Sequence, residues 1–359
     1  MKEIRYILKY GIMALLPVML VMLSATSCER RPLEDDELPL AALIPVKIDW
    51  SKSGIDVASH NGGSGVHRVS LRFYPKDSKQ PVFDLYLEGN VTEGQIAVPV
   101  GVYSVIVFNE SVDDKGYWEG KVNFTDVNSY MDFAANAVPY DVATREQQFP
   151  FYQPQTGEKL INEPLNLASW CLDEFRVTEK MVPVSYGQQK ASFLSADEND
   201  MFYALTHITM RALVRPLIVT AQVKNLVSAQ TNYFAMRGLA SKVYMASGLT
   251  TQTPSTHLFT LNGRQYMQGG KDGTTSKTFL CFGRTLAPES YKLAADVLFV
   301  TGELYNPTPP LRFDVTDQVI LDYHNRLTIK VDISYELPYV EGGIGVDEWD
   351  DEDKVITLE

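Results

Sequence analysis

Five histidines, three cysteines and one acidic cluster are the parts of this 359-residue chain most suited to chemistry. His60, His67, His207, His257 and His324 never pair at HxH or HExxH spacing, so zinc has no local signature. They read as surface or turn histidines. Three cysteines cannot make an all-thiolate zinc site, which takes four, or a disulfide scaffold. Cys171 and Cys281 would bridge only with their Cα atoms within ~7 Å; two isolated, buried thiols are the favoured reading. Asn61–Gly65 (NGGSG) is glycine-rich like a phosphate cradle. A strand-like run follows it, where a cradle needs a helix start, so it reads as a hairpin loop. Asp347–Asp353 (DEWDDED) sets six carboxylates in seven residues. It lacks the EF-hand spacing with its central glycine and reads as a solvated acidic segment. Trp50, Trp118, Trp170 and Trp349 could stack on sugars, although tryptophan in a β-sandwich is more often core. No metal and no cofactor is expected.

Cys28 is different. Lys2, Arg5 and Lys9 precede an uncharged apolar run, Gly11–Leu23, and the small residues Ser24–Ser27 lead into the cysteine. Thirteen apolar residues fall short of the ~20 that span a bilayer as a helix. Residues 1–27 therefore read as a cleaved lipoprotein signal peptide, with Cys28 acylated (palmitate among its chains) and becoming the new N-terminus. Ala25 stands where a large aliphatic residue is usual. Residues 28–42 are charged, proline-bearing and aperiodic, the composition of a flexible tether.

The rest of the chain must position whatever function it has. Lys plus Arg count 32 against 45 Asp plus Glu, a net charge of −13, so the basic footprint of a nucleic-acid binder is missing. Apolar residues make up 45%, enough for two packed cores in a chain too long for one ordinary domain. Short alternating or β-branched runs dominate, broken by Gly, Pro, Asn and Asp. They include Leu43–Trp50, Val66–Tyr74, Val82–Leu87, Gln95–Val100, Tyr103–Phe108 and, more weakly, Tyr117–Phe124 and Tyr130–Phe133. Ala135–Ile161 reads as a long irregular connection, and Pro164–Phe175 as a short helix from Leu165, Ala168, Ser169 and Leu172. The second half repeats the strand pattern. In Arg326–Tyr335, Leu327, Ile329, Val331 and Ile333 alternate with polar residues. The fold class expected is all-β, two antiparallel β-sandwich domains in tandem, over 43–195 and 196–359. Val355–Leu358 (VITL) is a terminal strand, apolar on both faces, suited to completing a sheet of its own or another molecule.

In order along the chain, Val46-Lys47-Ile48-Asp49-Trp50, Val69–Pro75, Val98-Pro99-Val100-Gly101-Val102-Tyr103, Val105–Asn109, Thr278–Gly283 and Phe313–Val319 stand before an acidic, Trp-bearing tail ending in a strand. This series resembles the fimbrillin-like lipoproteins of type V pili. The resemblance implies transthyretin-like (Ig-like) sandwich domains, no enzymatic activity, and a place at the outer membrane or in the fimbrium. It further implies pilus assembly, as shaft, anchor or accessory subunit, and cell adhesion. Its partners would be other pilus subunits or copies of itself, the membrane through lipid, and host or bacterial surface ligands. In polymerising members a protease removes the first strand after Arg or Lys, and a neighbour's C-terminal strand fills the groove. By that analogy Val355, Ile356, Thr357 and Leu358 are the donor strand. Val46, Lys47, Ile48, Asp49 and Trp50 are the strand displaced, with Lys52 and Arg68 as points of cleavage. The alternative is a surface glycan-binding lipoprotein of a sugar-uptake system, which a flat platform of exposed aromatic rings would favour.

Overall fold

Ile329, Val331, Ile333 and Tyr335 are buried, and Lys330, Asp332, Ser334 and Glu336 between them are exposed. That is the period-two pattern of a strand with one face on a core, as the alternation predicts. The computed structural model describes residues 40–340 except 56, 58–65, 78, 114–115, 118–121, 184–193, 286–289 and 326–327. Its first part contains β1 (Ala41–Asp49), β2 (Val66–Pro75), β3 (Phe83–Glu88), β4 (Glu93–Pro99), β5 (Gly101–Asp113), β6 (Gly116–Tyr117), β7 (Val122–Thr125) and β8 (Ala134–Ala137). Helix α1 (Val142–Gln148), β9 (Leu160–Ile161), β10 (Ala168–Val177), α2 (Ala196–Phe202), β11 (Ile208–Thr209) and β12 (Arg211–Ala212) follow. The second part contains β13 (Arg215–Lys224), β14 (Ala229–Ala240), β15 (Lys242–Tyr244), β16 (Pro254–Thr260), β17 (Gly263–Tyr266) and β18 (Gly273–Cys281). It ends with β19 (Lys292–Phe299), β20 (Leu304–Tyr305), β21 (Arg312–Asp314), α3 (Thr316–Asn325) and β22 (Ile329–Glu336). The molecule is all-β with short helical connections.

The first sandwich faces a small sheet, β11-β1-β4, against a larger one, β12-β10-β5-β2-β3. Ile44 and Val46 of β1, Leu71 and Phe73 of β2, Val98 of β4 and Val105 of β5 meet in its core. β5 has a second buried face. Ile106 and Phe108 point the other way, into a cluster with Phe133, Ala135, Val243 and Met245. Buried on both sides, the strand reads as a nearly continuous apolar run instead of alternating.

The second sandwich packs β17-β18-β13-β22 on β20-β19-β14-β16-β9, with β21 also on β19. Leu217, Val219, Phe279 and Val331 from one sheet meet Phe234, Met236, Phe259 and Leu293 from the other. The sandwiches interlock. β9, from the first half, pairs with β16, and β8 pairs with β15. β11 and β12, the last strands of the first part, stay within it, pairing with β1 and β10. Ser169 and Cys171 of β10 donate to the carbonyls of Met245 and Ala246. Pairings pass to the second sandwich near Leu213; the sequence reading sets its boundary in Gln188–Asp200, dividing the chain at 195/196, and residues 188–193 of that stretch lie outside the described residues.

Three expectations need correction. Pro164–Phe175 is not helical: β10 begins at Ala168. Its pairing with β5 shifts register between Leu172 and Phe175. The helical spacing of Ala168, Ser169 and Leu172 comes instead from burial on both faces at the start of the strand: Ala168 and Leu172 pack on the first core, while the buried Ser169 bonds toward Met245 on the other side. Ala135–Ile161 is not irregular throughout, for it holds β8, α1 and β9. Asp141 caps α1 by accepting from the Thr144 N–H at 2.9 Å. Tyr130–Phe133 is turn rather than strand, and the strand begins at Ala134.

Cys171 and Cys281 are free thiols, and burial pushes Cys281 up to about 12. His257 is no surface residue. It is buried beside Phe279, with ring centroids 5.3 Å apart, and burial lowers its pKa to about 3. A group neutral in the fold but protonated when unfolded makes stability fall as pH drops from about 6.5 toward 3. His257→Leu should flatten the melting temperature between pH 6.5 and 5, where ordinary carboxylates stay mostly ionised. Parallel curves for variant and parent would contradict this.

Candidate functional site

β1 is the element through which the segment after Cys28 enters the fold. The structure places Val46, Lys47, Ile48 and Asp49 as its last four residues, with Trp50 just beyond. It begins at Ala41, inside the segment read as tether, because Ala42 already faces the core. Ala42, Ile44, Val46, Ile48 and Trp50 are buried, while Leu43 and Lys47 are exposed. Burial of Ile44, Val46 and Ile48 contributes about 1.5–3 kcal/mol each.

The backbone of β1 has one long partnership, with β4, from Ala41↔Pro99 to Lys47↔Glu93. On its other side β11 pairs only at Ile48 and Asp49. The Val100 N–H donates to the Leu40 carbonyl at 2.8 Å, and the Ile48 N–H to the Thr92 carbonyl at 2.7 Å. Antiparallel pairs alternate between bonded and non-bonded. The bonded pairs are therefore 42/98, 44/96 and 46/94. Pro45 and Pro99 both fall in the non-bonded class, so the donors they lack are not missed.

The far end of β1 is tied down by a turn. The Trp50 indole N–H donates to the Val91 carbonyl at 3.1 Å. Asp49 accepts from the N–H and hydroxyl of Ser51, bonds that hold its carboxyl below the usual range. The Asp49 carbonyl accepts from the Met210 N–H, and the Lys52 carbonyl from the Ala212 N–H. Lys52 itself is exposed in this turn. Arg68 lies inside β2, 3.6 Å from the Glu88 carboxylate and over the Tyr86 ring. Of the two candidate cleavage points, Lys52 has the exposed side chain, with its backbone held in a turn, whereas Arg68 is half-buried in a paired strand.

The strand beside β1 shows why Val98–Tyr103 has its composition. The Tyr103 hydroxyl donates to the Pro99 carbonyl at 3.0 Å. A Cβ on Gly101 would lie 2.6 Å from that hydroxyl, so the ring closes over position 101 only when it is glycine.

Cys28, Val355–Leu358, the acidic cluster, Trp118, Trp349, His60 and the NGGSG loop lie outside the described residues. Trp170 packs against the first core and Trp50 within it. Among the described residues no three His, Cys, Asp or Glu side chains converge to hold a metal, and no helix is long and apolar enough to cross a membrane. Sequence reasoning missed the half-buried cluster of Glu158, Arg237, Tyr152 and Thr256. Glu158 accepts from Tyr152 at 2.7 Å and Thr256 at 2.6 Å, and Arg237 Nε lies 2.9 Å away. No local motif marks it, because its members run from residue 152 to residue 256.

Comparison with known proteins gives three findings. The family described as "Domain of unknown function (DUF5119)" matches residues 27–260. A Bacteroides ovatus protein named "Putative fimbrium anchoring subunit Fim4B" is 33% identical over 105 residues, 29% of this chain. The match spans 27% of that relative's length. Two solved structures align over most of both chains. One, described as a "putative adhesin" of Bacteroides ovatus, has TM-score 0.49 and 16% identity, over 87% of this chain and 94% of that one. The fimbrial anchor protein Mfa2 of Porphyromonas gingivalis has TM-score 0.42 and 10% identity, over 82% and 90%.

Ile44→Ala should cost about 2–5 kcal/mol in denaturant unfolding, as for other buried Ile truncations. Leu43→Ala, one residue away but 41% exposed, should stay within about 0.5 kcal/mol. Equal losses at the two positions would contradict the placement of β1.

Proposed function

We propose that this chain, which belongs to the DUF5119 family, is a structural subunit of a fimbrium and not an enzyme. It is held at the outer membrane through acylated Cys28 and joined to its neighbours by exchange of β-strands. The observation that carries this reading is the construction of β1. It lies closest to Cys28, buries one face of its length, and pairs at length with β4 alone. Such a strand can leave as a unit, and its groove offers both backbone partners and apolar pockets to a replacement. The partial match to a relative named as a fimbrium anchoring subunit supports the same reading.

Cleavage after Lys52 would release residues 28–52 and with them the lipid. A chain that stays uncut keeps its membrane attachment and serves as an anchor or accessory subunit, and one that is cut enters the shaft. In either role Val355–Leu358 is the strand offered to a neighbour, and adhesion follows from what the assembled fimbrium presents.

Two experiments test this. Cys28→Ala should move the protein from the membrane fraction to the soluble one, and retention in the membrane would refute lipid attachment. Deleting Val355–Glu359 should abolish multimer ladders on gels of surface-extracted protein. Ladders of unchanged length would rule out donation of that strand.

A further inference from the structure

Most sheet edges among the described residues are too short to accept a partner. β9, β11, β12 and β20 have two residues each, β15 and β21 three, and β7 and β17 four. Three longer strands lie at sheet ends: β3, β4 and β22. They are not equivalent.

β22 is guarded. The Gln318 side chain of α3 donates to the Asp332 carbonyl at 3.0 Å and accepts from the Asp332 N–H at 2.7 Å. A primary amide thus occupies the outer backbone groups in the middle of the strand, as a neighbouring strand would. Covering an edge in this way is a recognised protection against unwanted pairing.

β4 has no such cover. Its residues 94, 96 and 98 bond to β1, so the N–H and C=O groups of Glu93, Gln95 and Ala97 point outward. Glu93 has a local partner in the Asn90 side chain at 3.3 Å. The outer groups of Gln95 and Ala97 have no hydrogen-bond partner among the described residues. The sheet that β4 ends has three strands, and it faces one of five on its main path. The opposing β3 consequently keeps Phe83 and Leu85 only half-buried, although both pack against the first core. A strand laid outside β4 would meet open backbone on one side and apolar side chains beneath it.

We propose that the outer edge of β4, at Gln95 and Ala97, accepts an extended strand from a second copy of this chain while β1 is still in place, and that the strand is Val355–Leu358. Its four residues reach ~13 Å, enough to bond at both positions. Apolar side chains on both faces let either face lie over Phe83 and Leu85. This inference rests on the strand-exchange reading above, but it differs in requiring no cleavage.

The test uses the mature full-length chain and a fluorescent peptide of residues 351–359, with binding read by anisotropy. Proline at an outward-pointing position removes only the outer donor, as Pro45 and Pro99 already do without harm to the β1–β4 ladder. Gln95→Pro and Ala97→Pro should each weaken peptide binding at least tenfold while leaving the melting temperature within a few degrees. Gln318→Ala should leave binding at the β4 edge unchanged. Hydrogen exchange on the unaltered chain needs no variant: the Gln95 and Ala97 amides should slow when peptide is added. Undiminished binding by both proline variants, with no slowing at those amides, would overturn the proposal. A chain that binds peptide only after trypsin cuts at Lys52 would overturn it while leaving strand displacement standing. Binding by neither the intact nor the cut chain would sink both. A monomer whose Gln95 and Ala97 amides are already protected, and lose protection on deletion of 355–359, would show its own tail there and refute the second copy as occupant.

Discussion

The constraint on which this structure depends is that strand backbone must find partners, and β1 finds nearly all of its own in β4. From residue 42 to residue 48 every bonded position of β1 faces the same neighbour. The apolar face of β1 supplies one wall of the first core, so closing the sheet and closing the core are a single event. Without β1, β4 would have two bare edges, and Leu71, Phe73 and Val105 would lose the side chains that cover them. A protein in that condition is under strong pressure to take up another strand. Dependence on one terminal strand is a poor arrangement for a solitary globule and a useful one for a subunit that joins to others.

The remainder of the fold makes such a change local. β5 is held on both faces, and the cluster around Phe108, Phe133 and Val243 binds the two sandwiches through residues of both halves. Pairing of β9 with β16 and of β8 with β15 adds backbone bonds between strands of the two parts. Events at β1 can therefore proceed on a stiff base.

Much of this was legible in the residues. The alternation in 329–335 and the valine-rich 103–108 run mark strands because side-chain period and burial leave direct traces in composition. The first strand was recognisable over 43–50. Its opening at Ala41 was not, because two alanines carry little hydrophobic signal. Burial on both faces at the start of β10 disguised a strand as a helix. α2 left a signal that went unread: Ser195 and Glu198 form a capping box, each side chain bonding the other's backbone N–H. The interlocking of the halves could not be read from local pattern, since two-residue strands such as β9 and β11 exist only through their partners. For the candidate site, residue types pointed to β1, but only register shows which backbone groups of β4 face outward.

The most direct test of the account is limited trypsin digestion of the mature chain, followed by N-terminal sequencing and circular dichroism of the product. The account predicts a body beginning at Ser53 that keeps its β-sheet spectrum and sheds residues 28–52 when a strand peptide of residues 351–359 is added. A first cut within β2, or a product that unfolds even when offered the peptide, would contradict it.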